Sequence, residues 1–276
     1  MNNKIILLII YNIIMNIIIL FILILIISYI YFFYSNIFEQ IKFEQIKESK
    51  SNYMTKDQLY EYLIKDSDNY FKNFSNSDFK VRKVNNINEY YQNIKLACSD
   101  INKSTETFLN KCITVANEKL TNYNCVGFDG AKCANLEWKI GIVKDKLYEE
   151  GFPHTRHNVI ILPSSSLNNK ESLINTLIHE KIHVYQKMYP KDIEQYLQAN
   201  GFTKYKLRNS FNNTNINIRS NPDMDEWIYK NKDNEIMMAE YKENAKSIMD
   251  VNIKPTNNYQ HEHPFEFMAY NITNQI

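Results

Sequence analysis

The sequence predicts an α+β domain, mostly helical with a small sheet, that follows one transmembrane helix. Three observations lead to this prediction. The N-terminus is a long uncharged apolar stretch, several later segments have apolar residues at helical spacing, and the runs EWKIGIV and HNVIILP are rich in β-branched residues. A chain of 276 residues is also long enough to bury a sizeable core.

The N-terminal stretch contains no charged residue from 5 to 38. A helix needs about 20 apolar residues to cross a bilayer, whereas a cleavable signal peptide has a shorter apolar region and a small-residue cleavage site. No Ala or Gly precedes Ala97. We therefore expect an uncleaved anchor over residues 1–38 that contacts the lipid bilayer through residues 5–34. An aromatic belt is expected at its C-terminal end, formed by Tyr29, Tyr31, Phe32, Phe33 and Tyr34.

Three parts are expected after the anchor. Residues 39–54 are polar and contain a near-repeat of FEQIK, which predicts a solvated stalk. Residues 55–136 form a helical, cysteine-containing part, in which Thr55 caps a first helix and Ser104 caps a later one through an imperfect capping box. The segment NYNCVGFDGAKCANL in this part holds two of the five glycines and predicts a loop. Residues 137–276 carry the two predicted strands and form the third part.

The number and spacing of the cysteines suggest the redox conditions around the domain. All four fall in the helical part, and none forms a C-x-x-C pair; they are Cys98, Cys112, Cys125 and Cys133. An even number in this arrangement favours two disulfides, hence an oxidising compartment and a domain facing away from the cytosol. Four unrelated buried thiols are the alternative. The positive charges that flank the anchor do not decide its orientation, since they occur on both sides.

The segment LINTLIHEKIHVYQKMYP, residues 173–190, contains the most specific motif. Its apolar residues recur at helical spacing, and Pro190 is expected to end the helix. His179 and His183 then lie one turn apart on the same face, with Cβ atoms about 5–6 Å from each other. Two imidazoles so placed can bind one zinc ion, while Glu180 lies about 100° round the helix and can reach a water on the metal.

A catalytic zinc site needs a third protein ligand. The remaining histidines are His154 and His157 upstream and His261 and His263 downstream. The downstream pair lies in YQHEHPFEFMAYNIT, where Pro264 is a favourable first residue of a helix and Glu266 falls in its first turn. Glu266, Glu262, His261 and His263 are all candidates for the third ligand.

In these residues the sequence resembles the zincin metallopeptidases, and specifically their gluzincin branch. The resemblance spans about residues 137–276 and rests on the H-E-x-x-H helix and on Glu266-Phe-Met-Ala269, which fits the E-x-x-A setting of the gluzincin glutamate. It implies a zincin-like domain that binds one Zn²⁺ through His179, His183 and Glu266. The metzincin pattern is not met, because no Gly or third His follows His183 at the extended-motif spacing.

The resemblance also implies a mechanism, in which a zinc-activated water attacks the peptide bond of a peptide or protein substrate and Glu180 is the general base. It implies that the strand NVIILP, residues 158–163, pairs with extended substrate at a sheet edge; an ordinary core strand is the alternative. Candidates for an oxyanion donor, or for a group that orients a ligand, are His154, His157, Tyr185 and Tyr270.

Other features of the chain narrow the function. A net charge of +1 without a basic stripe argues against a nucleic-acid partner. The segment RSNPDMDEW, residues 219–227, predicts a solvated turn, because its aspartates match no calcium-loop spacing. The abundance of Ile, Asn and Lys is typical of an AT-rich genome, such as that of a large DNA virus or an AT-rich unicellular eukaryote. In a virus, the virion or an internal membrane would be the location.

The function expected from these features is that of a membrane-anchored zinc metalloprotease. One alternative is a catalytically inactive zinc-binding or structural membrane or virion protein with the same fold. Intact Glu180 favours the enzyme, since a structural zinc needs no carboxylate that is not a ligand. A zinc hydrolase with a substrate other than a peptide is a third possibility.

Overall fold

The computed structural model describes residues 13–34, 51–211, 214, 216–256 and 261–276. Its first element, helix α1 (Ile13–Tyr34), is 22 residues long and contains an 18-residue window with a mean hydropathy of 3.1, which makes it long and apolar enough to cross a membrane. All five residues of the expected aromatic belt lie on α1. The rest of the predicted anchor, 1–12 and 35–38, and most of the predicted stalk, 39–50, lie outside the described residues.

The described residues from Ser51 onward form one compact unit of mixed α and β structure. The nine helices in the described part of the chain are α1, α2 (Lys56–Ile64), α3 (Asn76–Val81), α4 (Ile87–Ala97), α5 (Lys103–Thr121), α6 (Gly130–Asn135), α7 (Lys170–Met188), α8 (Pro190–Ala199) and α9 (Pro264–Thr273). The strands are β1 (Ser51–Tyr53), β2 (Cys98–Ser99), β3 (Asn124–Cys125), β4 (Phe128–Asp129), β5 (Trp138–Val143), β6 (His154–Arg156), β7 (Val159–Pro163), β8 (Thr203–Leu207), β9 (Trp227–Lys230), β10 (Ile236–Tyr241) and β11 (Val251–Lys254).

The main sheet has five strands. Its order is β1-β5-β7-β6, and β2 also pairs with β5. The β1, β5 and β7 strands are parallel, whereas β6 runs antiparallel to β7 and forms one edge. A second, antiparallel sheet has the order β11-β10-β9-β8, and β3 and β4 form a short hairpin. Because β1 pairs with β5, the chain on both sides of residue 137 contributes to the same sheet.

Helix α7 lies at the centre of the unit and carries the H-E-x-x-H motif. Its side chain at the N-cap, Asn169, accepts a hydrogen bond from the backbone of Ser172 and so satisfies one of the free amides of the first turn. Most of its residues from Leu173 onward are buried, because the helix packs against α5, α6, α8 and α9 on its sides and against β6 and β7 of the sheet. A helix covered on several sides is held rigidly, which suits a helix that carries ligands.

Several element predictions are confirmed. Thr55 caps α2 and makes a full capping box with Gln58. The strands β5 and β7 lie where the β-branched runs placed them, and α9 begins at Pro264 with Glu266 in its first turn.

Other element predictions are wrong. The residue that caps α5 is Asn102 rather than Ser104, the expected glycine loop folds into the β3–β4 hairpin and α6, and the end of the expected stalk is strand β1. The expected end of α7 before Pro190 is confirmed: α7 ends at Met188, and Tyr189 separates it from α8. Pro190 is the first residue of α8, because its fixed φ and missing N–H are favourable at the start of a helix.

Candidate metal centre

Three side chains meet between α7 and α9, and we refer to His179, His183 and Glu266 as the metal cluster. The two Nε2 atoms of the histidines are 3.1 Å apart. Oε2 of Glu266 lies 3.5 Å from Nε2 of His179 and 3.7 Å from Nε2 of His183. The helical spacing brings the two imidazoles together, and the packing of α9 on α7 adds the carboxylate.

These distances fit a zinc ion. Tetrahedral zinc with bonds of about 2.0–2.1 Å places neighbouring ligand atoms about 3.4 Å apart, which is close to the three separations observed. Two imidazoles and one carboxylate are also a donor set found in catalytic zinc sites, which keep a fourth position open. The residues present therefore fit a catalytic zinc.

Glu180 lies beside the metal cluster and is held by the sheet. Its Oε2 accepts a hydrogen bond of 2.9 Å from the hydroxyl of Thr155 on the edge strand β6, and the same hydroxyl is 3.1 Å from its backbone carbonyl oxygen. Glu180 is almost fully buried. The strand thus orients a carboxylate that is next to the candidate ligands without being part of their triangle.

The electrostatics of the centre favour a cation. Burial raises the pKa of Glu180 well above its usual value, and the negative charge of Asp223 raises it further. Burial alone would lower the pKa of His183, but the negative charges of Asp223 and Glu266 outweigh it and raise this pKa to about 9. Burial would raise the pKa of Glu266, yet hydrogen bonds and charge from the two histidines hold it well below its usual value. Several carboxylates in one buried place attract positive charge, which a metal ion supplies.

Each of the other candidate third ligands lies in a different environment. Glu262 forms a buried ion pair with Arg219 and accepts a hydrogen bond of 3.0 Å from Asn221. His263 caps α9: its Nδ1 accepts from the backbone of Phe265, and its Nε2 lies 3.1 Å from a carboxylate oxygen of Asp225. The ring of His261 stacks on Tyr270 with centroids 4.8 Å apart. Among the described residues, the group of ligand atoms that converges comprises His179, His183 and Glu266.

Of the candidate donors, only Tyr270 adjoins the metal cluster. Its ring centroid is 4.5 Å from that of His179, and the side chain is half exposed. The hydroxyl of Tyr185 points to the opposite side of α7, where it donates to Asp192 at 2.6 Å. That prediction is therefore wrong, because two residues past His183 the helix has turned by about 200°.

The two upstream histidines do not contact the metal cluster. His157 is exposed in the turn between β6 and β7. His154 is buried on β6, with Nδ1 2.9 Å from the carbonyl oxygen of Phe152 and its ring against Tyr148. Burial lowers the pKa of His154.

The predicted role of NVIILP as an edge strand is wrong. This run is β7, which lies between β5 and β6, so both of its edges are occupied. The edge strand on this side of the sheet is β6, and both outward-facing backbone groups of its central residue already form hydrogen bonds. The Thr155 N–H donates to Asp223 at 2.6 Å, and the Thr155 carbonyl accepts from the ammonium of Lys187 at 2.7 Å. In this conformation, side chains of the chain itself occupy the groups that a substrate strand would use.

The four cysteines also differ from expectation, because each is a free thiol. They lie on four different elements: Cys98 in β2, Cys112 in α5, Cys125 in β3 and Cys133 in α6. Burial raises the pKa of all four, to about 12 for Cys98 and Cys133. The structure agrees with the alternative of four unrelated thiols. The cysteines therefore give no reason to expect an oxidising compartment.

The segment from Arg219 to Asp225 contributes groups that the sequence did not indicate. It is a turn, as expected, but it is not solvated, since Ser220 and Asp223 are buried. Asn221 donates a hydrogen bond of 2.9 Å to Oε1 of Glu266, and Asp223 binds β6. The only local signal was the turn sequence Asn-Pro-Asp, and such a signal does not indicate what the turn packs against.

No protein-family model matches this chain, and neither a curated protein nor a solved structure matches it.

Proposed function

We propose that this chain is a membrane-anchored zinc metallopeptidase of the zincin type, with the ligand set of the gluzincins. The observation that supports this most is the triangle of ligand atoms in the metal cluster, with separations of 3.1, 3.5 and 3.7 Å. The second support is Glu180, a buried carboxylate beside the triangle that a purely structural zinc would not require.

In this proposal the residues have separate roles. His179, His183 and Glu266 hold the metal. Bound zinc supplies Lewis-acid polarisation of the scissile carbonyl and lowers the pKa of a coordinated water to about 7. Glu180 accepts a proton from the attacking water and delivers it to the nitrogen of the leaving amine. The Thr155 hydroxyl keeps the Glu180 carboxylate in place through its hydrogen bond to Oε2.

A second candidate function is a zinc-binding protein without turnover. The occupied edge of β6 favours it, because Asp223 and Lys187 hold both backbone groups of Thr155 that a peptide strand would need. For the peptidase, this observation means that substrate either displaces Asp223 or approaches from the side of His179 and Tyr270, which is more exposed.

The experiment that tests the proposal compares the full-length protein in detergent with its Glu180→Gln variant. We expect about one zinc per chain in both proteins and hydrolysis of a broad peptide library by the wild type alone. Glu171→Gln is the matched control, since Glu171 lies on the same helix but is exposed. Wild type without zinc would overturn the proposal. Zinc in both proteins without hydrolysis in either would favour the non-catalytic function.

We further propose that α1 crosses a membrane once and anchors the domain to it. The length and hydropathy of α1 and the aromatic residues at its end support a single-pass anchor. Protease treatment of sealed vesicles with the cytosolic face outward tests which side carries the domain. Protection of the domain would place it on the non-cytosolic side, and its digestion would place it in the cytosol.

A further inference from the structure

Gln186 links the two helices of the metal cluster. It lies on α7 three residues after His183 and is almost fully buried. Its Oε1 is 2.8 Å from Nδ1 of His183, and its Nε2 donates a hydrogen bond of 2.9 Å to the backbone carbonyl of Phe265, the residue before Glu266 on α9. One side chain therefore contacts a candidate ligand and also the backbone next to another.

The two hydrogen bonds define the orientation of the amide. The carbonyl of Phe265 can only accept a hydrogen bond, so the NH₂ group of Gln186 has to face it. The amide oxygen is then directed at His183, and an oxygen can only accept. It follows that Nδ1 of His183 carries a proton.

The proton on Nδ1 determines which nitrogen of His183 can bind a metal. A neutral imidazole has one N–H and one lone pair, so a proton on Nδ1 leaves the lone pair on Nε2. Nε2 is the atom that faces His179 and Glu266. The opposite amide orientation would place a proton on Nε2 and would set two oxygens, of Gln186 and Phe265, against each other.

We propose that Gln186 is a positioning residue of the metal centre. It keeps His183 in the tautomer whose Nε2 can bind the metal, and it holds α9, with Glu266, at a fixed distance from α7. The inference rests on the proposed zinc site, but it assigns a role to a residue outside the H-E-x-x-H motif.

Two substitutions separate this role from simple packing. Gln186→Glu keeps an oxygen that accepts from Nδ1 of His183, but it sets a carboxylate against the carbonyl of Phe265. Gln186→Met has a similar shape and loses both hydrogen bonds. If Gln186 positions His183, the Glu variant binds zinc more tightly than the Met variant. If Gln186 only fills space, the apolar Met variant is equal or better, because it adds no buried charge.

The experiment measures zinc affinity of the full-length protein in detergent by competition with a chelator of known affinity. We expect Gln186→Glu, which loses only the hydrogen bond to Phe265, to have a zinc affinity between those of the wild type and Gln186→Met. Gln186→Met should bind zinc about 10- to 100-fold more weakly than the wild type, as is usual when a partner of a ligand is lost. Equal affinity of the wild type and the Met variant, or a Glu variant weaker than the Met variant, would overturn the inference. Zinc that is absent from the wild type would overturn the proposed function instead.

Tyr185→Phe is the matched control for damage to α7. It removes the hydrogen bond from Tyr185 to Asp192. Tyr185 precedes Gln186 in the chain and lies on the side of α7 opposite His183. We expect it to lower the thermal midpoint without changing zinc affinity. A loss of zinc affinity in Tyr185→Phe as large as that in Gln186→Met would show that general destabilisation explains both, and would overturn the positioning role.

A second measurement does not depend on whether the Glu variant folds. In zinc-loaded protein labelled with ¹⁵N-histidine, Nδ1–H of His183 should give a signal protected from exchange with water, assigned by its nuclear Overhauser contacts to the side chain of Gln186. The signal should be lost or exchange rapidly in Gln186→Met. A signal of unchanged protection in that variant would contradict the inference.

Discussion

The domain contains two buried polar clusters that are built differently. In the first, the arginine cluster (Arg82, Glu149, Asp78, Tyr70 and Tyr90), each carboxylate faces hydrogen-bond donors. Arg82 binds Glu149 through two nitrogens, at 2.9 and 2.7 Å, and the hydroxyls of Tyr70 and Tyr90 donate to the same carboxylate. Donors and acceptors match within this cluster, so it is complete without a ligand.

The metal cluster has the opposite arrangement. Glu266 Oε2 and the Nε2 atoms of His179 and His183 converge on one point, and the negative charges around them raise the pKa of His183 to about 9, so this place favours a positive charge. Acceptors that converge in a buried place repel one another unless a proton or a cation lies between them. Burial and charge alone therefore do not indicate a site. The useful sign is a set of ligand atoms that converge on one point and need a proton or a cation between them.

The largest expected effect is the loss of zinc from His183→Ala. His183 is fully buried and supplies one of three ligand atoms, so its removal leaves too few donors for a stable site. Zinc per chain, measured by elemental analysis of full-length protein, should fall from about one to background. His157→Ala is the control, because His157 is exposed in the β6–β7 turn, and it should retain zinc. Full zinc occupancy in His183→Ala would show that the metal cluster is not the zinc site.

The next prediction concerns the two glutamates at the start of α9. Glu266→Gln should lose most of its zinc, because an amide oxygen carries no charge. Glu262→Gln should keep zinc but lose stability, since it leaves the buried guanidinium of Arg219 without its partner. Zinc content and thermal midpoints of both variants provide the check. The reverse pattern, with zinc lost only from Glu262→Gln, would make Glu262 the third ligand.

The arginine cluster should respond in stability and not in zinc binding. Removing one partner of a buried ion pair typically costs about 3–5 kcal/mol, and we expect this cost for Arg82→Met because Glu149 would stay buried without its cation. Unfolding by urea measures it. Lys83→Met, at the exposed neighbouring position, should be close to wild type. If Arg82→Met lowered the zinc content of the folded protein, the two clusters would not be independent.

Acid should weaken the arginine cluster in a defined pH range. Burial would raise the pKa of Glu149, but the charge of Arg82 lowers it from 4.5 to about 2. Because the folded pKa is below the unfolded one, this stabilisation is fully present above pH 4.5 and is lost as the pH falls towards 2. The difference between the unfolded and folded pKa values of Glu149 corresponds to about 3 kcal/mol of stability.

Urea unfolding of the metal-free protein at several pH values tests this prediction. Glu149→Gln should have a lower free energy of unfolding than wild type at pH 6, and this difference should disappear near pH 2. Glu61→Gln, an exposed change, serves as the control. A gap between wild type and Glu149→Gln that does not change with pH would contradict the assignment.

The two clusters also differ in how far the sequence could predict them. The motif on α7 and the start of α9 at Pro264 are local signals, because helical spacing and proline geometry act within a few residues. They are sufficient to indicate His179 and His183 and to place Glu266 among the candidates for the third ligand, and the resemblance to the gluzincins favours Glu266 among these. The arginine cluster has no local signal, since Arg82 and Glu149 are 67 residues apart.

The residues that surround the metal cluster could not be predicted for the same reason. Thr155 is 25 residues from Glu180, and Asn221 is 45 residues from Glu266. Their contacts depend on how β6 and the turn after Arg219 pack on α7 and α9, which sequence periodicity does not report. The short strand β6 itself was missed, and with it the fact that β7 is an interior strand.

The smallest expected effect is that of Thr155→Val on turnover. The Thr155 hydroxyl donates to Oε2 of Glu180, and a hydrogen bond to a charged group contributes about 1.5–3 kcal/mol. Valine keeps the shape and removes the donor, so kcat should fall by about tenfold or somewhat more, with zinc content unchanged. Thr155→Ser restores the hydroxyl and should recover most of the rate. Peptide hydrolysis and zinc analysis on the same preparations provide the check. A Thr155→Val variant as fast as the wild type would contradict the role of the hydroxyl in orienting Glu180.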